Sequence, residues 1–240
     1  MASDKFISYN LKTLLMSLSG ILLGALLAAA DYHVNWWVVL LITLSVVCLQ
    51  VFTNVVPGII MAFAAVWVSY GTIFSLDSLI LLLFGYFVYR LVKNHSPEDG
   101  LFRNGLVVTL TSLVIYGLLP IYGIYFICTH SFGSPMLLLP AFSIGALCLS
   151  ATNAGYVQER TTRLFHTLWI LAGFVLMTVY SCLRISDPWH FLFLLLLPVF
   201  IWMLVRIWRN EPEESYEMKM AALILLFALL TGLGFTAYLF

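Results

Sequence analysis

The residues of this chain that could do chemistry are a few carboxylates outside its apolar runs. Glu98 and Asp99 share one polar stretch, Glu159 stands in a second, and a third runs from Glu211 to Glu217. Carboxylate oxygens are the ligands that Mg²⁺ prefers, and metal-assisted chemistry on a phosphorylated substrate needs several of them to converge. Acids spread over three stretches predict no catalytic magnesium cluster, and the group from Glu211 to Glu217 is typical of a solvated turn.

The cysteines and histidines do not have the spacing of a metal site. No pair forms C-x-x-C or a Cys/His ligand pattern, so the cysteines are predicted to be buried reduced thiols. The histidines lie mostly near the ends of apolar runs and are expected to be interfacial or hydrogen-bonded. Serine, histidine and aspartate are too scattered for a nucleophilic triad. The residues concerned are Cys48, Cys128, Cys148, Cys182, His33, His95, His130, His166 and His190.

The composition indicates a membrane protein. Of 240 residues, 62% are hydrophobic and only 9% are charged, whereas soluble domains average about 25% charged residues. The formal net charge is zero, which gives no reason to expect nucleic acid as a partner. An aromatic content of 15% suits belts of tryptophan and tyrosine at the bilayer surfaces.

The apolar runs predict nine membrane-spanning helices in one transmembrane domain, residues 1–240. A crossing takes about 20 residues of helix. The uncharged run from Trp36 to Leu76 is about twice that length, so it must fold back. We predict the reversal at Pro57-Gly58, because proline disfavours helix at Val56 and glycine tolerates a left-handed turn. The predicted spans are about 12–30, 35–56, 57–75, 77–93, 104–129, 134–153, 164–184, 189–208 and 218–240.

The basic residues predict the orientation of these spans. With a cytoplasmic N-terminus and an external C-terminus, Arg184 is the only Lys or Arg predicted outside. Such a bias is the positive-inside pattern. The predicted cytoplasmic set is Lys5, Lys12, Arg90, Lys93, Arg103, Arg160, Arg163, Arg206, Arg209 and Lys219.

Several stretches resemble the UbiA-type membrane prenyltransferases, and among them the dihydroxynaphthoate polyprenyltransferases of menaquinone biosynthesis. The segment from "LKTLLMSLSG" to "CLQVFTN" resembles the first two helices of that branch, and "YRLVK" resembles its Tyr-x-x-x-Lys. "IYGLLPIYGIYF", "LLLPAFSIGALCLSATN" and "LFHTLWI" are similar to its fifth, sixth and seventh helices. The resemblance implies a nine-helix UbiA-like bundle in the bacterial plasma membrane.

The chain departs from that family at both of its Asp-rich motifs. The first motif begins at Asn54, which is followed here by "VVPGI" instead of acids and a polar loop. The second begins at Asn153, which is followed by "AGYVQE", so that Glu159 is its one carboxylate. Family members use those acids to hold Mg²⁺ on a prenyl diphosphate. The resemblance therefore implies a magnesium cofactor only if this chain is active, and otherwise none.

The resemblance marks five residues as the remnant of a diphosphate and prenyl site: Asn54, Tyr89, Lys93, Asn153 and Glu159. Each polar one has a plainer interpretation. The two asparagines could cap helices or bond between helices. Lys93 could hold an anion or extend to the interface from a helix end. Likewise, Arg160 and Arg163 could bind lipid phosphates or only set the topology.

Three functions remain open. The leading hypothesis is a catalytically degenerate prenyltransferase relative, a pseudoenzyme that binds an isoprenoid or quinone or serves a membrane-protein partner. The second is an active magnesium-dependent prenyltransferase that uses Glu159, Glu98 and Asp99. The third is a small transporter or channel-like subunit, although no charge is predicted near the middle of the membrane.

Overall fold

The computed structural model describes residues 2–50, 55–70, 112–131, 133–153, 160–184, 187–209 and 216–237, with residues 2–10, 55, 70 and 153 described by backbone alone. Every element within these ranges is helical, which confirms the all-α class. Three helices are preceded by segments of different pitch: a π-helical segment, Leu113–Leu118, before α4, and 3-10 segments Pro135–Leu137 before α5 and Pro188–Leu196 before α7. The helices are α1 (Ala2–Asp31), α2 (Trp36–Gln50), α3 (Val55–Tyr70), α4 (Leu119–Thr129), α5 (Leu138–Asn153), α6 (Arg160–Leu183), α7 (Leu197–Trp208) and α8 (Tyr216–Thr236).

Within the described ranges, five helical stretches are long and apolar enough to cross a membrane. They are Leu11–Asp31, Pro135–Thr152, Arg160–Leu183, Pro188–Trp208 and Tyr216–Thr236. Trp36–Gln50, Val56–Ser69 and Leu113–Thr129 are apolar but shorter. These helices give the chain a multi-pass membrane character. The predicted span 77–93 lies outside the described residues, so the count of nine and the UbiA-like arrangement stay predictions.

The first and last helices run parallel and are joined at both ends. Lys12 of α1 pairs with Glu217 of α8, and Leu26 packs directly against Gly232. Asp31 forms an ion pair with Arg184 of α6. We call the two ends of the bundle the Lys12 end and the Asp31 end. Because α1 and α8 share a direction, the first and last described residues lie at opposite ends.

The directions of the remaining helices follow from contacts between named side chains. Ser143 of α5 donates to the Gly173 carbonyl at 2.6 Å, and Ser150, further along α5, contacts His166, which is earlier in α6. Trp208 donates to Thr167 at 3.2 Å, and Ser181 donates to the His190 carbonyl at 3.1 Å. Helix α6 is therefore antiparallel to both α5 and α7. Ser69, near the end of α3, contacts His130 at 3.2 Å, so α3 and α4 both finish at the Asp31 end. Helices α2, α5 and α7 finish at the Lys12 end.

The predicted turn at Pro57-Gly58 is wrong. Helix α3 begins at Val55, which places Pro57 in its first turn, where the missing N–H would be unpaired in any residue. Gly58 is also part of this helix and does not adopt the left-handed conformation expected for a turn. Among the described glycines, Gly133 is the one with a positive φ. A Cβ on Gly58 would lie 2.6 Å from Leu49 Cγ, and Ser45 donates to the Gly58 carbonyl at 2.7 Å. The glycine therefore serves the close packing of α2 on α3.

The π-helical segment that leads into α4 packs against two neighbours at backbone distance. A Cβ on Gly117 would lie 2.2 Å from the Ala141 carbonyl oxygen of α5. On the other side, a Cβ on Gly20 of α1 would lie 2.8 Å from the Tyr116 carbonyl oxygen. Small residues let the three helices approach in this way, as membrane helices commonly do.

Candidate functional site

Most of the residues predicted to form the remnant site cannot be placed. Asn54, Tyr89, Lys93 and Glu159 lie outside the described residues, as do Glu98 and Asp99. Asn153 is the last residue of α5 and is described by backbone alone. Their predicted roles remain predictions.

Helices α2 and α5, which precede the two positions where the resemblance places the Asp-rich motifs, finish at the same end of the bundle. Residues 51–54 follow Gln50, whose Nε2 donates to Ser17 Oγ of α1 at 2.7 Å. Residues 154–159 follow α5, whose Ser150 contacts the start of α6. Both contacts belong to the Lys12 end. The described polar residues there form the best candidate site, which we call the Lys12-end cluster: Lys12, Ser17, Gln50, Ser150, His166, Tyr216 and Glu217.

His166 is the centre of this cluster and is fully buried, with 0% exposure. Its Nδ1 lies 2.9 Å from the Ser150 carbonyl oxygen and 3.0 Å from Ser150 Oγ. Its Nε2 lies 2.8 Å from the Tyr216 hydroxyl. A carbonyl can only accept, so the pattern assigns a proton to Nδ1, and in the neutral imidazole Nε2 is then the acceptor for the Tyr216 hydroxyl. A neutral imidazole thus joins α5, α6 and α8.

The Lys12–Glu217 ion pair is the charged part of the cluster. The Lys12 side chain is 9% exposed and that of Glu217 is 39% exposed. Lys12 therefore depends on a partner within the protein, while Glu217 keeps contact with the surroundings. The prediction that Glu217 belongs to a solvated turn is wrong, because it stands in the first turn of α8 and pairs with α1.

These contacts limit what the cluster can do chemically. Both nitrogens of His166 are bonded to protein groups, so a substrate proton would have to displace Tyr216 or Ser150. Within the described ranges, no three of His, Cys, Asp and Glu come together as metal ligands would. Gln50 Oε1 is buried and has no partner among the described residues. The contacts of the cluster join helices to one another. Among the described residues of the cluster, only the Gln50 amide oxygen could still accept a hydrogen bond from a ligand or from another part of the chain.

The Asp31 end carries a second polar group. Asp31 accepts from the Tyr125 hydroxyl at 2.8 Å and pairs with Arg184. Arg184 also donates to the Tyr180 hydroxyl at 3.1 Å, with its guanidinium 5.9 Å from the Phe235 ring centre. The aspartate and arginine thus satisfy one another and tie together α1, α4, α6 and α8.

Sequence reasoning missed the contacts of this cluster. His166 was expected to be interfacial or hydrogen-bonded, and it is hydrogen-bonded, but nothing in the sequence marks Ser150 and Tyr216 as its partners. Those residues are 16 and 50 positions away. The one available signal was that a histidine six residues into an apolar helix needs polar partners.

No family model, curated protein or solved structure matches this chain. The resemblance to UbiA-type prenyltransferases therefore rests on the residues quoted above.

Proposed function

We propose that this chain is a membrane protein related to the menaquinone-pathway prenyltransferases that has lost metal-dependent catalysis and binds an isoprenoid chain or a quinone. The observation that carries the proposal is the connection between α2 and α3. The first motif begins at Asn54, the last residue of this connection, and helix α3 follows at once with "VVPGI" and no acid, where similar proteins place the carboxylates of that motif. Two magnesium ions on a diphosphate would need several acids from two motifs, and the second connection supplies only Glu159.

The described residues support this proposal in two ways. Helices α2 and α5, which precede the two motif positions, finish at the same end of the bundle, as a shared remnant site requires. The one carboxylate described in the Lys12-end cluster is that of Glu217, which is paired with Lys12. The described charged side chains lie near or beyond the ends of the apolar stretches long enough to cross a membrane, an arrangement that does not favour the transporter hypothesis.

Native mass spectrometry from mild detergent tests the binding part of the proposal. We expect co-purified isoprenoid or quinone, and a higher melting temperature when a long-chain quinone is added, since a ligand that binds the native state stabilises it. Detergent that contains no isoprenoid, together with a series of quinones of different chain length, separates specific binding from partitioning of the quinone into the detergent micelle. A preparation with no isoprenoid and no stabilisation contradicts lipid binding and leaves the membrane-partner role.

A transfer assay with labelled prenyl diphosphate, dihydroxynaphthoate and Mg²⁺ tests the catalytic part. We expect no turnover above a chelator control. Turnover that disappears in Glu159→Gln and persists in Glu217→Gln would overturn the proposal in favour of an active enzyme. That pair of variants is matched, because each removes one carboxylate close in sequence to the start of a helix, Glu159 directly before α6 and Glu217 in the first turn of α8.

A further inference from the structure

We propose that the Gln50 amide oxygen accepts a hydrogen bond from a hydroxyl group of the bound isoprenoid ligand, so that this chain prefers a quinol or a polyprenol to a quinone. The inference rests on the proposed function and deepens it, because it names the chemical form of the ligand. It starts from one buried acceptor in the Lys12-end cluster.

The Gln50 side chain joins α2 to α1 through one end of its amide. Its Nε2 donates to Ser17 Oγ at 2.7 Å, and Ser17 is buried in α1. The other end of the amide, Oε1, is buried and has no hydrogen-bond partner among the described residues. A buried acceptor without a donor destabilises a protein, because it has given up its hydrogen bonds to water. A ligand that brings a donor to this oxygen recovers that free energy.

The contact between Gln50 and Ser17 stands next to a third helical element. About one turn further along α1, Gly20 lies against the backbone of Tyr116 in the π-helical segment. Segments of π-helix within longer helices are frequent at functional sites. Gln50 as a whole keeps partial exposure, so part of its side chain is accessible from outside the packed interior. Asn54, where the resemblance begins the first motif, follows four positions later.

The chemistry of the amide oxygen decides which ligands complete it. An amide oxygen only accepts hydrogen bonds, so its partner must carry a donor. The hydrocarbon chain of an isoprenoid carries none, and the two carbonyl groups of a quinone carry none. The hydroxyl group of a quinol or of a polyprenol is such a donor. Gln50 therefore distinguishes ligands of similar size by the presence of one O–H group.

The experiment compares paired ligands that differ at the hydroxyl group. Geranylgeraniol and its methyl ether are added separately to the full chain in neutral detergent, and binding is measured by native mass spectrometry and thermal unfolding. A short-chain menaquinone and its quinol, handled without oxygen, form the second pair. We expect the hydroxyl compound to bind roughly fivefold more tightly than its partner, the effect of one hydrogen bond. The pair that shows this difference identifies the source of the hydroxyl.

Gln50→Met keeps the length of the side chain and removes the amide. It should weaken binding of the hydroxyl compound by the same factor and leave binding of the ether or the quinone unchanged. Ser143→Ala is the matched control, because it removes another hydrogen bond between helices, the one to the Gly173 carbonyl at 2.6 Å. It should lower the melting temperature and leave the preference unchanged. The wild-type comparison needs no variant, so it decides alone if Gln50→Met does not fold.

Equal binding within both pairs would overturn the inference and leave the proposed function standing, since water or another part of the chain would then complete the oxygen. Tighter binding of the ether or the quinone would also overturn it, because the amide nitrogen would then face the ligand. An equal loss of preference in Gln50→Met and Ser143→Ala would show that looser packing, and not the oxygen, is responsible. If none of the four compounds binds, the proposed function fails together with this inference.

Discussion

At the scale of single residues, the hydrogen bond between Tyr216 and His166 is the most informative one to remove. Tyr216→Phe keeps the ring in place and leaves His166 Nε2 buried without its donor. We expect a loss of about 1 kcal/mol in the free energy of unfolding, the usual size for interhelical hydrogen bonds in membranes. Thermal unfolding in detergent measures it.

The control for that variant is Tyr32→Phe, which removes a hydroxyl from an exposed ring. It should leave the unfolding temperature unchanged. If Tyr216→Phe is equally silent, the Lys12-end cluster does not join the helices in the way its geometry indicates.

The Lys12–Glu217 pair gives a second prediction at this scale. Glu217→Gln removes the carboxylate that pairs with the buried Lys12 ammonium, and removing one partner of a buried pair is more costly than the pair is worth. Because Glu217 is partly exposed, we expect about 1 to 2 kcal/mol. Lys12→Met/Glu217→Gln should recover part of the loss in a chemical denaturation series. A single variant as stable as the wild type would show that Lys12 reaches another partner.

At the scale of helices, Gly117 of the π-helical segment and Gly123 of α4, which follows it directly, offer a matched pair. Gly117→Ala places a methyl group 2.2 Å from the Ala141 carbonyl oxygen, whereas a Cβ at Gly123 meets nothing within 4 Å. We expect Gly117→Ala to cost about 2 kcal/mol or more, since backbone cannot move aside as a side chain can. Gly123→Ala should be neutral or stabilise slightly. Equal melting temperatures for the two variants would contradict the close contact of the π-helical segment with α5.

How far the sequence predicts these helices differs from one feature to another. The lengths of the apolar runs predict the positions of the helices well, because hydrophobicity sustained over about 20 residues is a strong signal. The turn at Pro57-Gly58 was misplaced because both residues also suit the first turn of a packed helix. The close packing of Gly58 against Leu49 depends on the neighbouring helix α2, and no local sequence pattern predicts it.

The candidate site is less predictable than the fold for a related reason. His166, Tyr216 and Ser150 come from three helices, and their meeting depends on how the bundle packs. The motif positions at Asn54 and Glu159 were found by resemblance, and they stay untested because they lie outside the described residues. Physical reasoning on the sequence predicted the helices, and it could not predict the contacts between them.

At the scale of the whole molecule, the testable property is orientation. The basic residues predict that the Lys12 end faces the cytoplasm. In a variant with its four cysteines replaced by alanine, Asn35→Cys should react with a membrane-impermeant maleimide in intact cells. Thr161→Cys should react only after permeabilisation, because it lies at the opposite end and is also exposed. The reverse pattern would show that the orientation predicted from the basic residues is wrong.

The parallel pairing of α1 and α8 has a consequence for biogenesis. Among the described helices these two share the most extensive contact, and Lys12 meets Glu217 across 205 positions. Helix α1 leaves the ribosome well before α8, so the contact between them can form only after α8 has been translated. During that interval Lys12 and Leu26 of α1 have not yet met Glu217 and Gly232 of α8. The bundle therefore reaches its final packing only when α8 joins α1.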